Sequence, residues 1–404
     1  PPPPPPSYTD PPTPEIYTVL TSSAASDVYK RQALYNILDW AQANNVDVFL
    51  QQMWMAAEWN SIPGIHPIIS APNNLDDFAN SLTTLLEHLT IEKQYSCIKY
   101  FCMVNEPPGG TWGYWWNEGS TGNTTAAAWE KLNEAFKEKN INIPIAGPDW
   151  TDMPIFDATK LGFSKYLGAI DIHSYHGVDN KGEENLKKWA NYSHAKNKPF
   201  FLTEYGNMNL GWGTDDPNQK SFDAAISNAS DVIRGLRANV DAFNRWSFTN
   251  RGDLDGQWQL VKTFDHETKE YLSDVTPEPE AYYGFGIISR FLSKYSSVVA
   301  CKTNQPDSIF MSTALLSPGK EISVIMVNKS NKPLQVSLDI NSFSDRELHL
   351  YQISKTIINK PGFKFEPLDS FNSDNTIDIE LPARSISNAT SFLLSDNDNG
   401  VFIK

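Results

Sequence analysis

From Ala33 onward the chain alternates between two kinds of apolar pattern. Leu34, Ile37, Leu38 and Ala41 recur at helical spacing, and 46–50 is a short apolar run ending in polar and aromatic residues. That is a helix feeding a strand. The unit recurs with Leu75, Phe78, Leu82, Leu85 and Leu89 before a strand at 98–104, and with Trp129, Leu132 and Phe136 before a strand at 143–147. A strand at 169–173, a helix around Leu186 and Trp189 and a strand at 199–203 continue it. Phe222, Ile226, Ala229, Ile233 and Leu236 then mark an amphipathic helix before a strand at 242–248. Six strands separated by helices, each ending in a polar or aromatic cluster, predict an α/β fold. The array is of the (β/α)₈ TIM barrel type rather than a doubly wound sheet.

After residue 291 the period changes to two: Ile322, Val324 and Met326, then Leu334, Val336, Leu338 and Ile340, then Ile377, Ile379 and Leu381. This predicts a C-terminal all-β sandwich over 291–404, behind a barrel over 33–290. The segment 353–376, rich in Pro, Asn, Asp and Ser, reads as a long loop between sandwich strands. Residues 1–32 open with six prolines and read as a non-native or disordered segment, with 15–20 a weak strand candidate. An eight-stranded barrel needs two strands before Ala33, and 32 such residues cannot hold them, since one βα unit takes about thirty. The array therefore reads as a barrel lacking its first strands.

Composition narrows the function. A formal charge of −15 argues against nucleic acid and anionic membranes, which demand basic patches. Twelve Trp, 16 Tyr and 21 Phe suit a neutral partner with flat apolar faces, such as a sugar ring, although many such rings serve cores. Three cysteines make no disulfide framework. No run of eighteen apolar residues suggests a membrane span.

Two motifs carry chemistry. Cys102-Met103-Val104-Asn105-Glu106-Pro107 ends one predicted strand and Phe201-Leu202-Thr203-Glu204-Tyr205-Gly206 ends another. Each places a carboxylate at the end of a strand that forms the active face of a barrel. Alone, either Glu reads as a helix cap or loop charge. Together they fit the acid/base and nucleophile of a glycosidic cleavage, provided that they face each other at about 5 to 5.5 Å.

Asn-Glu-Pro at 105–107 and Thr-Glu-Tyr-Gly at 203–206 resemble the retaining β-glycosidases of clan A, including the family 5 cellulase-like enzymes. The likeness spans roughly 33–258, and a sandwich is a common companion in that clan. It implies that Glu106 protonates the leaving oxygen and later activates water, and that Glu204 attacks the anomeric carbon. It also implies that Asn105 bonds the sugar 2-hydroxyl and that His173 and Tyr175, in the His-x-Tyr of 173–175, lie beside the nucleophile. Trp246 resembles the tryptophan floor beneath the cleaved sugar.

Trp112, Trp115 and Trp116 follow Glu106 in a Gly-rich loop and are candidate platforms for neighbouring sugars. Trp54 and Glu58, Asp149 and Trp150, and Asp255 with Trp258 fall on the same predicted face. For each aromatic residue a core role is the alternative. The expected activity is hydrolysis of a β-linked glycan with retention, endo in action, with no cofactor and no metal, and carried out outside the cell. A glycan-binding barrel without turnover and a transglycosylase are the rivals.

Overall fold

The computed structural model describes residues 28–52, 58–107, 115, 119–211, 217–249, 258–265, 267–340, 346–372 and 376–394. The strand candidate at 15–20 lies outside them. The first helix, α1 (Val28–Ala43), begins inside the segment expected to be foreign to the fold. There follow β1 (Val48–Gln51), α2 (Leu75–Glu87), β2 (Ile98–Cys102), α3 (Thr125–Glu138), β3 (Ile145–Trp150), β4 (Ala169–Ser174), α4 (Asn180–His194), β5 (Phe200–Tyr205), α5 (Phe222–Arg237) and β6 (Ala242–Arg245). A hairpin, β7 (Val261–Asp265) with β8 (Glu270–Pro277), leads to α6 (Pro279–Ser289).

The C-terminal region contains β9 (Ser297–Val299), β10 (Phe310–Leu316), β11 (Ile322–Asn328), β12 (Leu334–Leu338), β13 (Glu347–Ser354), the one-turn helix α7 (Lys355–Ile358), β14 (Asp369–Asn372), β15 (Ile377–Leu381) and β16 (Ser385–Thr390).

Strands β1 to β6 lie in sequence order in one six-stranded sheet, and β1 to β4 pair in parallel. This is the β/α barrel class read from the sequence, followed by antiparallel sheets. The β3 strand runs three residues past the expected end, so Asp149 and Trp150 belong to the strand itself. The helices start where side chains can satisfy their free N–H groups: Asn74 caps α2, Thr124 caps α3 and Ser221 caps α5.

The chain divides into two compact units, residues 1–173 with 191–203 and residues 174–190 with 204–404. In the first, α2 buries Phe78, Leu82 and Leu86, and α3 buries Trp129, Leu132 and Phe136. Both helices keep their polar side outward, as the spacing of their apolar residues predicts.

The second unit departs from that rule. One face of α5 joins α6 against the sheet of order β14-β13-β16-β11-β10-β9, in a core holding Ile226, Ile233, Ile287, Phe291, Ile325, Tyr351 and Ile386. The opposite face of that sheet packs on the β12-β15 pair through Ile322, Val324, Met326, Ile379 and Leu381. Central strand β11 is buried at all seven positions, which explains why its sequence is apolar on both alternating sets.

The polar side of α5 is buried as well. Arg234 meets Glu183 at 3.1 Å and Asp307 at 3.1 Å, and the Asp231 carboxylate accepts the Val178 N–H at 2.8 Å. The segment 353–376, expected to be a loop, holds α7 and β14, and Phe365 fills the core beside Tyr351 and Phe291. Its few apolar residues, Ile358, Phe363 and Phe365 among them, stand too scattered among polar ones to give a periodic signal.

No helix among the described residues is long and apolar enough to cross a membrane. Two predictions follow from the second core. Removing residues after 291 uncovers Ile226, Ile233 and their neighbours, each worth about 1.5 to 3 kcal/mol of burial, so soluble yield should collapse. A soluble, cooperatively melting product would contradict this core. Burial pushes Asp231 up to about 7, so its ionisation opposes folding. The contribution of Asp231 to stability should therefore be fully present below pH 4, the range of an unfolded carboxyl, and be lost as the pH rises through 7. Asp231→Asn should melt with the parent at acid pH and gain about 1 to 2 kcal/mol at pH 8, measured by denaturant titration.

Candidate active site

In the first unit the strand ends are tied together by one buried carboxylate. Asp149, near the end of β3, has no exposed surface. Its Oδ2 accepts from Gln51 Nε2 at 2.7 Å and from the Glu106 backbone N–H at 3.2 Å. Its Oδ1 lies 3.0 Å from His173 Nε2 and accepts from the Thr203 hydroxyl at 3.3 Å. Donors from β1, the turn after β2, β4 and β5 thus converge on one group of β3. Both Glu106 and Asp149 have positive φ, 49° and 58°. Non-glycine residues in this region cost about 1 kcal/mol or more each, which the surrounding hydrogen bonds must offset.

Glu106 is nearly buried, and its Oε1 lies 2.8 Å from His173 Nδ1. His173, fully buried in β4, is therefore gripped at both ring nitrogens by carboxylates. Of the two glutamates read as catalytic, Glu106, read as acid/base, is the one whose carboxylate takes up His173 Nδ1. Asn105 turns its Oδ1 to Gln51 Nε2 at 3.0 Å, which leaves its amide nitrogen as the donating end.

Beneath this layer Asp171 accepts the Asp149 backbone N–H at 2.8 Å. Burial, and then the Asp149 charge, push its carboxyl well above the usual carboxylate range. Cys102, Asp149 and Asp171 hold ligand-type atoms within 4.8 Å of one another. The Cys102 thiol bonds the Val104 carbonyl, and both Asp149 oxygens already have partners, so the trio reads as a proton-holding cluster rather than a metal cage.

In the second unit Glu204 ends β5, largely buried, and its Oε2 accepts the Tyr175 hydroxyl at 2.5 Å. Tyr175 is held in turn by the edge of Trp258, with centroids 5.7 Å apart and planes at 86°. Trp258 also explains the glycine of the Thr-Glu-Tyr-Gly motif: a Cβ on Gly206 would meet its ring at 2.5 Å. The Arg245 guanidinium donates to the Trp258 and Ser247 carbonyls, at 2.6 and 3.1 Å.

Trp246 stands half-buried after β6, its backbone N–H donating to the Tyr205 carbonyl at 3.1 Å and its peptide bond to Ser247 cis. Trp150 is half-buried at the end of β3, edge-on to Phe163.

Two tryptophans named from sequence pack elsewhere than on an open face. Trp258 is 1% exposed and buttresses Tyr175. Trp115 is 2% exposed, lies edge-on to Phe78 and donates its indole N–H to the Asn123 carbonyl. Both are core supports, because burial leaves neither ring a face for a sugar. Glu58 lies exposed in a 3₁₀ turn. Trp54, Trp112, Trp116 and Asp255 fall outside the described residues. Sequence reading missed Gln51 and Thr203. The one signal for each was a polar residue at the end of an apolar strand.

No family model matches this chain, and no curated protein does. Solved structures do resemble it. A conserved exported protein from Bacteroides fragilis is 17% identical, with a TM-score of 0.68 over 90% of this chain and 80% of that one. A glycoside hydrolase family 30 subfamily 8 xylanase from Clostridium acetobutylicum is 17% identical, with a TM-score of 0.62 over 90% of this chain and 84% of that one. A family 39 β-xylosidase from Caulobacter crescentus is 12% identical, with a TM-score of 0.58 over 93% and 86%. At such identities the likeness establishes the fold, a β/α barrel with a C-terminal β domain. The two named enzymes belong to families 30 and 39 and do not carry the finer family 5 resemblance.

Gly206→Ala should force Trp258 away from Tyr175. We expect a loss of about 1 to 3 kcal/mol in the unfolding midpoint and a changed aromatic circular dichroism signal. An unaltered spectrum and midpoint would show that the Gly206 contact is slack.

Proposed function

We propose that this protein hydrolyses β-glycosidic bonds with retention, Glu106 serving as acid/base and Glu204 as nucleophile. The observation that carries the reading is the unequal company of the two carboxylates, one in the turn after β2 and the other near the end of β5. Glu106 faces an imidazole nitrogen, a partner that can share its proton. Glu204 receives a hydroxyl hydrogen, which stabilises its charged form. The first is suited to exchange a proton and the second to attack.

In the first step Glu204 attacks the anomeric carbon as the C–O bond to the leaving group breaks, and the proton of Glu106 passes to the leaving oxygen. In the second step Glu106, now a carboxylate, takes a proton from water as the water oxygen displaces Glu204. Asn105 offers its amide to the sugar 2-hydroxyl, a contact that tightens as positive charge develops on the ring. Trp246 supplies a flat apolar wall for the sugar.

The substrate class is a neutral β-linked glycan, cleaved internally. The names of two similar enzymes, a xylanase and a β-xylosidase, put xylan first in a panel with β-glucans, mannans and galactans. Likeness to an exported protein agrees with action outside the cell.

Reducing ends released from that panel should fall by about 1,000-fold or more in Glu204→Ala. Azide distinguishes the roles. With Glu204→Gly it should enter in place of the nucleophile and give an α-glycosyl azide, and with Glu106→Ala it should intercept the glycosyl-enzyme and give the β product. Exchanged products would reverse the assignment, and undiminished activity in both variants would end it.

A further inference from the structure

We infer that Asp149 is a positioning residue that fixes the tautomer of His173 and thereby places a single proton on the line between His173 Nδ1 and Glu106 Oε1. The inference rests on the reading of Glu106 as the acid.

Gln51 Nε2 and the Glu106 backbone N–H, the partners of Asp149 Oδ2, can only donate. Oδ1 receives the Thr203 hydroxyl and faces His173 Nε2. As an ionised acceptor, Asp149 requires a hydrogen on His173 Nε2. A neutral His173 then has its lone pair on Nδ1, 2.8 Å from Glu106 Oε1, and only a protonated Glu106 can complete that bond. If the proton crosses, the result is an imidazolium between two carboxylates with the same net charge.

Among the described residues, the titratable groups around Asp149 include Asp171 and the Cys102 thiol. Glu204 stands near the end of β5, and Tyr175 lies two residues past His173 on the chain. Asp171, buried beside Asp149, is held toward its neutral form.

This arrangement gives Asp149→Asn an unusual consequence. The two donor-only partners at the Oδ2 position compel the new amide to place its carbonyl there. Its NH₂ group must then occupy the Oδ1 position and donate to His173 Nε2. The ring flips to the Nδ1–H tautomer, that hydrogen points at Glu106 Oε1, and Glu106 is held as a carboxylate, unable to act as the acid. The volume at residue 149 hardly changes.

Ring-nitrogen NMR of His173, assigned by loss of its signals in His173→Gln, tests this without reference to turnover. The native protein should show a protonated Nε2, and Asp149→Asn a protonated Nδ1 with an unprotonated Nε2. A neutral Nδ1–H ring in the native protein would overturn the inference, and that measurement does not depend on Asp149→Asn folding. An unchanged tautomer in a folded Asp149→Asn would do the same.

Kinetics supply the second arm. Methyl β-xylobioside has a poor leaving group that needs the acid, and dinitrophenyl β-xylobioside has one that does not. Asp149→Asn should slow the first by about 100-fold and the second by less than about 3-fold, and move the high-pH limb of the first downward by about one unit. Equal losses on both glycosides with an unmoved limb would mean a merely structural role and sink the proposal. If the native protein cleaves neither these probes nor any glycan of the panel, the glycosidase reading fails while the NMR result still decides the tautomer.

Discussion

A carboxylate with no exposed surface would cost several kcal/mol if it were unpaired. In this protein Asp149 avoids that penalty by drawing in donors from four other places in the fold: Gln51, the Glu106 backbone, His173 and Thr203. Because those donors stand at the ends of different strands, satisfying one charge sets the relative register of β1, the turn after β2, β3, β4 and β5. The left-handed backbone at Glu106 and at Asp149 itself is the local cost of that convergence. Asn105, oriented through the same Gln51 amide, depends on the clasp indirectly.

The two carboxylates read as catalytic inherit different surroundings from this construction. Glu106 is reached through a histidine whose other nitrogen is already committed. Glu204 is reached through a tyrosine that is itself locked by Trp258, and Trp258 fits only because Gly206 has no side chain. Each functional group is thus held by a partner that has little freedom of its own, which keeps its geometry fixed. The division of labour proposed for the pair comes from these partners, since the two glutamates are chemically identical.

The second unit follows another logic. Helix α5 is apolar on one side, as its spacing predicts, yet its polar side is buried too, with Arg234 bridging Glu183 and Asp307. An amphipathic pattern predicts one buried face. It does not say whether the other meets water or a set of complementary charges. The antiparallel sheet packed on α5 and α6 makes the C-terminal strands part of the same core, so the β domain stabilises the helices behind the strand ends.

The sequence by itself determined the order of helices and strands from α1 to β6, the change from helical spacing to alternation after residue 291, and the two strand-end glutamates, because periodicity and local motifs are properties of neighbouring residues. It also marked His173, Tyr175 and Trp246 through the company they keep in short motifs. Only the tertiary structure decided that His173 serves Glu106, that Trp115 and Trp258 are core supports, that the 353–376 segment contains an ordered helix and strand, and that Asp149 is the hub. Those outcomes depend on which groups from distant strands arrive beside one another. A buried charge must be satisfied wherever the donors happen to be, and no spacing along the chain records that.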